Sequence, residues 1–518
     1  LRVGNVKNLT FLYIATRFEY PIINYISINF SIMTIKDLQP ALIWSIFDEI
    51  TKVPRPSKKE GKIREYLLEF AKKHNIQAKT DKVGNVVMSK PATPGHENAP
   101  TVILQGHMDM VCESNDKNFD FENNPITTII DGEWMHADGT TLGADNGIGM
   151  AASLAVMADN SLEHGPIEAL FTVDEETGMT GANNLGENMM NGSILLNLDS
   201  EDDGEIFIGC AGGIDTTITF EYKREMAPAD CHWFHIDIAN LSGGHSGGDI
   251  HEGRANSNKL LARFLFNISK EKPIVLSEIS GGNLRNAIPR AAHAIVGVHS
   301  SRKEDIIVAF NRYVADVENE YRTTDPNMSL TIKSVDKPEY AIDSDTTTRL
   351  IRALYACPHG VISMSHDLEG LVETSTNLAS VKMQPDSTIL VTTSQRSSVE
   401  SRKLDIANQL EALFLLAGAK VTHGDGYPGW APNMDSTIMK IASDAYEELY
   451  GVKPAIKAIH AGLECGLFLT KYPHLDMVSF GPTLRGVHSP SEKMHIPAVE
   501  RFWNQLTLIL KKVAELNG

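Results

Sequence analysis

The stretch Leu142 to Gly149, LGADNGIG, places one carboxylate, Asp145, among glycines at the mouth of an apolar helix predicted from about Ile148 to Met157. Residues that could partner it stand at four other places, each after an apolar, strand-like run. Thr101 to Gln105 leads into Gly106-His107-Met108-Asp109, and Ile167 to Val173 leads into Asp174-Glu175-Glu176. Ser193 to Leu198 leads into Asp199, and Asp476 to Phe480 leads into a loop carrying His488. Were these runs neighbouring parallel strands, all these side chains would emerge at one sheet edge, in the crevice where open α/β sheets bind ligands. The residue types suit a metal centre. Zinc takes imidazole nitrogen and carboxylate oxygen, and two ions sharing a carboxylate can clamp both a nucleophile and a polarised substrate oxygen. Successive side chains of Glu175-Glu176 point in different directions, so one can ligate while the other takes a proton from water. Alone, each residue has a duller explanation, since Asp-Asn-Gly is usually a turn. The reading rests on all of them recurring at strand ends.

The whole chain sets bounds on this reading. At 518 residues it exceeds one ordinary core, and two or three structural units are expected. Hydrophobic residues at 42% and charged ones at 22% fit a globular protein. A formal net charge of -19 excludes nucleic acid and anionic membrane as natural partners, because the summed field repels both. Five cysteines, Cys112, Cys210, Cys231, Cys357 and Cys465, are scattered without CxxC spacing, which favours a reducing cytoplasm over a disulfide framework. Apolar stretches in residues 1–32 are broken by Arg17, Glu19 and Pro21, so this segment is expected to be a disordered or artefactual extension.

From Met33 helices alternate with short apolar runs up to about Gly209, the pattern of a mostly parallel sheet covered by helices. From Ile214 the texture turns to apolar/polar alternation, as in Thr216 to Phe220 and Phe234 to Ile238, which predicts half-buried antiparallel strands. Within this region a helix (Ser257 to Ile268), a loop with Asn286 and a strand (Ala292 to Val298) come first. A helix (Thr346 to Ala356), a loop with Asn377 and a strand (Ser387 to Thr393) repeat that order, suggesting two small α+β units. The expected organisation is an extension (1–32), a first catalytic part (33–213), an inserted lid (214–427) and a second catalytic part (428–518).

The runs GHMD (106–109), TLGADNG (141–147), DEETG (174–178), NLDSE (197–201) and GVHSP (486–490) resemble, in order, the motifs of the dizinc peptidase family of aminoacylases, glutamate carboxypeptidases and carnosinases. QGHMDMVCE, GEIFIGCAGGID and LSGGHSGGDIHEGRANSNK are similar to the branch of that family acting on Xaa-His dipeptides, carnosine included. The resemblance covers essentially Met33 to Gly518. It implies an α/β catalytic domain with an inserted α+β lid of two ferredoxin-like units, and a cytoplasmic, zinc-dependent dipeptidase of broad dipeptide specificity. His107 and Asp199 would hold one zinc, Glu176 and His488 the other, and Asp145 would bridge them. A hydroxide between the ions would attack, with Glu175 as general base and Asp109 orienting the first imidazole. The Asp145-Asn146 peptide is then a candidate for the cis form. Manganese or cobalt suit similar ligands.

In the lid, the resemblance makes His245 of GGHSGG the donor to the oxyanion, reaching either across a homodimer or within one chain carrying a doubled lid. Arg396 offers the fork that binds a substrate carboxylate, with Asn283, Arg285 and Asn286 as a second group. Glu464, in the loop 460–466, is placed to meet the substrate's amino group. An N-acyl amino acid deacylase or another dipeptidase on the same scaffold is the alternative. In a different class stands a peptide-binding homologue without catalysis, which would have no need of Glu175.

Overall fold

Ile167–Thr172, Val102–His107, Ile194–Asn197 and Asp476–Ser479 lie side by side in that order and run parallel at the centre of an eight-stranded sheet. The computed structural model describes residues 34–516; the extension 1–32 lies outside them. Almost every residue of these four strands is buried, as expected of parallel strands covered on both faces. Alternate residues go to opposite cores. Leu104, Ala169 and Leu196 face the helices Ala41–Ile50, Gly61–Lys73, Ala144–Ala158 and Ile496–Ala514, whereas Ile103, Leu170 and Leu195 face the helix Glu464–Lys471. Antiparallel pairs flank the parallel centre, with Gln77–Thr80 and Val86–Lys90 towards one edge and Glu205–Cys210 towards the other.

The helix Ala144–Ala158 is apolar on every side and accordingly buried on every side. It packs close to the strand ends. A Cβ on Gly149 would stand 2.5 Å from the Leu198 carbonyl oxygen, so only glycine permits this approach.

Residues 212–423 build a second, nine-stranded sheet, eight of its strands from two βαββαβ units of ferredoxin-like order and the ninth, Gly360–Met364, added beside Val372–Met383. One unit uses Cys231–Ala239, Val275–Gly281, Ala292–His299 and Ser329–Val335, with helices Ser257–Ser269 and Lys303–Tyr321. It is nested in the other, which uses Gly212–Glu221, Val372–Met383, Thr388–Ser397 and Lys420–His423, with helices Ser344–Ala356 and Glu400–Leu416. The two pair edge to edge through Ser280↔Lys382 and Gly281↔Val381.

Two local expectations are corrected. Asn377 sits inside the strand Val372–Met383 rather than in a loop, and Arg396 lies within Thr388–Ser397 rather than beyond a strand ending at Thr393. The stretch around Asn377 is polar because it faces loops instead of apolar core: its amide donates to the Ala287 carbonyl at 2.8 Å. A small four-stranded sheet holds Leu484–Arg485 and Lys493–His495 beside Trp134–Ala137, and His488 rides on the loop between the first two.

Candidate metal centre

The four parallel strands deliver their loops to one edge. His107 ends its strand, Asp199 follows Asn197 by two residues, and Glu175 and Glu176 open the short helix Glu175–Gly178. Asp145 stands between the two histidines with its oxygens divided. Oδ1 lies 3.0 Å from His107 Nε2, and Oδ2 lies 3.2 Å from His488 Nε2. His107 Nε2 is also 3.4 Å from Asp199 Oδ1, and His488 Nε2 is 3.0 Å from Glu176 Oε2. The cluster therefore divides into a His107/Asp199 half and a His488/Glu176 half that share Asp145. The Asp145-Asn146 peptide is cis, and the Asn146 amide donates to the Leu198 carbonyl at 2.6 Å.

The electrostatics follow from crowding acids beside two imidazoles. Burial opposes ionisation of Asp145, but hydrogen bonds from His107 and His488 hold its carboxyl far below the usual range. Hydrogen bonds to Asp145 and Glu176 push His488 up to about 11. Burial, and after it the Asp199, Glu464 and Glu176 charges acting against His107, pushes Glu175 well above its ordinary value. Burial raises Asp199 to about 7, with the Asp145 and Glu176 charges adding to it. So dense a negative site calls for compensating positive charge. The donor set fits divalent cations: imidazole and carboxylate atoms of His107, Asp145 and Glu176 lie within 4.8 Å of one another, and Glu176 Oε1 is buried without a hydrogen-bond partner.

Asp109 ties the parts together. Its carboxylate lies 3.3 Å from His107 Nδ1, takes the Ser57 hydroxyl at 2.7 Å, and accepts the backbone N–H groups of Glu175 and Glu176 at 3.1 and 3.2 Å. Burial works against it, yet these donors bring Asp109 down to about 2. Behind it, Glu60 accepts the backbone N–H groups of Lys58 and Asp174, which braces the turn before Glu175.

Sequence reasoning missed two buried supports. Glu492 accepts four successive backbone N–H groups, from Leu142, Gly143, Ala144 and Asp145, at 2.7, 2.9, 2.8 and 3.3 Å. Arg55 donates to the Gly143 carbonyl and, at 2.6 Å, to that of Asp109. Together they clamp the LGAD loop from both sides. Glu492 stands four residues after His488, and Arg55 lies between two prolines; those positions were the only available hints.

The lid residues divide. Backbone N–H groups of Gly247 and Gly248 donate to His245 Nδ1 at 3.3 and 3.0 Å, which places the proton of the neutral ring on Nε2. Burial, and after it the Arg396 charge, lowers its proton affinity further. The same loop touches the other half of the chain, because a Cβ on Gly247 would fall 2.2 Å from the His460 carbonyl oxygen. Arg396 is buried, donates to the Tyr427 hydroxyl at 2.8 Å and, among the described residues, leaves Nε unpartnered. Asn286 adjoins the His245 strand, its carbonyl accepting from Ser246 N at 2.8 Å. Arg285 pairs with Asp215, while Asn283 bonds Lys382 and lines a separate cleft of about 380 Å³ that includes none of the metal cluster.

An α/β sheet whose strand ends converge on paired histidines and a shared aspartate defines a metallohydrolase centre. Residues 103–512 match the model of peptidase family M20/M25/M40, and the chain belongs to that family. It is an enzyme that hydrolyses peptide bonds. Over 480 residues it is 44% identical to the cytosol non-specific dipeptidase of Escherichia coli (strain K12), covering 92% of this chain and 99% of that one. The crystal structure of aminoacylhistidine dipeptidase from Vibrio alginolyticus superposes with a TM-score of 0.87 at 44% identity, covering 93% of this chain and 98% of that one. A Staphylococcus aureus tripeptidase, 16% identical with a TM-score of 0.54 over 92% of this chain and 100% of that one, shares the fold. Among the described residues no helix is long and apolar enough to cross a membrane.

Proposed function

We propose that this enzyme is a cytoplasmic dipeptidase using two zinc ions, with Xaa-His dipeptides, carnosine-type β-alanyl-histidine among them, as substrates. The single observation that carries the reading is the division of Asp145's two oxygens between two imidazoles, with Glu175 beside them. The names of the Escherichia coli and Vibrio relatives support the dipeptide substrate, and the first supports the compartment. His107 and Asp199 would hold one ion and Glu176 and His488 the other, with Asp145 common to both. Bound divalent cations supply Lewis-acid polarisation of the scissile carbonyl and acidify the attacking water.

The chain's own side chains do the rest. Glu175 takes the proton of the attacking water and returns it to the departing amine. Asp109 fixes the His107 ring and the Glu175-Glu176 backbone with one carboxylate. His245, its Nδ1 occupied, would donate its Nε2–H to the oxyanion. The contact of its loop with His460 supports action within one chain. Segment 214–427 acts as the lid, and Arg396, with Asn286 nearby, receives the substrate's C-terminal carboxylate. The test is hydrolysis of carnosine, other Xaa-His, Xaa-Gly and N-acetyl amino acids, with and without a chelator. Chelator-sensitive cleavage of Xaa-His peptides is expected; preferential cleavage of N-acetyl amino acids, or full activity in chelator, overturns the reading.

A further inference from the structure

His245 rides on a lid loop whose two ends are tied together by one carboxylate. Asp325 follows the helix Lys303–Tyr321 and is fully buried. Its Oδ1 accepts the Ser242 N–H and its Oδ2 accepts the Ala255 N–H, each at 2.8 Å. These two donors stand just before and just after the segment GGHSGGDIHEGR, and neither lies in a helix or strand, so the loop takes the spacing of its ends from this carboxylate. Asp325 is itself fixed. Its N–H donates to the Tyr321 carbonyl at 2.8 Å, its carbonyl accepts from Met328 N at 3.2 Å, and the Ser242 hydroxyl adds a bond to the neighbouring Thr324 carbonyl at 2.6 Å.

Inside the loop the hold passes on to the imidazole. Arg254, next to Ala255, donates to the Gly243 carbonyl at 2.7 Å and lies 3.5 Å from Asp249 Oδ1. Asp249 Oδ2 in turn accepts the N–H of His245 itself at 2.7 Å. On its other side the Gly244–His245 strand pairs with Ala287–Ile288. A chain of hydrogen bonds therefore runs from Asp325 to the backbone that carries the ring, and bonds to a charged acceptor are its strongest links. The alignment matters because a donor to developing charge works only when aimed, and a misplacement of about 1 Å costs on the order of 100-fold in rate.

We propose that Asp325 is a positioning residue for the reaction, acting through the 242–255 loop to hold His245 where its Nε2–H meets the oxyanion. The inference rests on the assignment of His245 to the oxyanion above. The test measures Ala-His hydrolysis by the zinc-loaded protein in its parent form, as Asp325→Asn, as His245→Ala and as the two combined. Asparagine keeps one acceptor and turns an NH2 group towards the other N–H, which releases one end of the loop. Asp325→Asn then lowers kcat about 10-fold with KM and zinc content at the parent's values, and His245→Ala lowers it about 100-fold. In the His245→Ala background Asp325→Asn costs less than about twofold, because the group it positions is gone. Asp325→Glu keeps the charge and both acceptors; it loses less than Asp325→Asn, and its loss also vanishes without His245, so the comparison survives an asparagine variant that folds poorly. Equal losses in both backgrounds, a loss confined to KM, or loss of zinc each overturn the proposal. A His245→Ala protein with the parent's kcat overturns the oxyanion assignment and this inference together, whereas a slow His245→Ala protein beside a parent-like Asp325→Asn one overturns this inference alone.

Discussion

Replacing Glu492 by Gln tests how the Asp145 loop is held. The parent carboxylate accepts four backbone N–H groups in a row from Leu142 to Asp145. Glutamine keeps one oxygen for two of them and turns an NH2 group towards the other two, donor against donor. Hydrogen bonds to a charged acceptor contribute about 1.5–3 kcal/mol each, so losing two removes several kcal/mol. Part returns because a charge is no longer buried; burial already raises Glu492's proton affinity. A net destabilisation of about 3 kcal/mol is expected. The loop carries the carboxylate common to both halves of the centre, so divalent-metal affinity falls as well, by ~10–100-fold, the usual effect of removing a group that orients a ligand. Urea unfolding at pH 7 reads the first quantity, and competition with a calibrated chelator reads the second. A Glu492→Gln protein with the parent's unfolding free energy and metal affinity would refute the clamp.

Other substitutions separate chemistry from scaffold. Glu175→Gln keeps its metal but loses ~10²–10⁴-fold in kcat, whereas Asp145→Ala loses metal; metal analysis beside turnover distinguishes them. Arg396→Met raises KM for dipeptides and erases discrimination against C-terminally amidated ones, while kcat on an amidated substrate stays near the parent value. Burial pushes His359 down to about 4 and His460 to about 3, below the value of about 6.5 for an unfolded chain. The unfolded chain therefore takes up protons first as the pH falls, and each histidine removes up to ~1.4 kcal/mol of stability per pH unit from about pH 6.5 down towards its folded value. Denaturation at pH 7 and pH 5 should show a smaller drop for His359→Asn than for the parent.

Much of the site was legible in the sequence because its elements are local. A parallel strand covered on both faces needs an unbroken apolar run, and the residue just past its end is delivered to the crevice by geometry alone. That is why His107, Glu175, Glu176 and Asp199 could be placed at one sheet edge. Arg396 and Asn377 were misplaced along their strands because a polar strand facing loops lacks the alternation that reveals a half-buried one.

The sequence by itself determined which residues could carry the chemistry, the apolar runs that present them, and the doubled α+β pattern of the insertion. Only the tertiary structure decided what holds them. Glu492 caps N–H groups up to 350 residues away, Arg55 reaches the carbonyls of Met108, Asp109 and Gly143, and the buried Gln105 amide donates to Glu464, 359 residues further along the chain. A backbone N–H group looks the same in every residue but proline, and a buried amide reads like a surface one. Such partners leave no local pattern, and they become visible only when folding brings distant segments together.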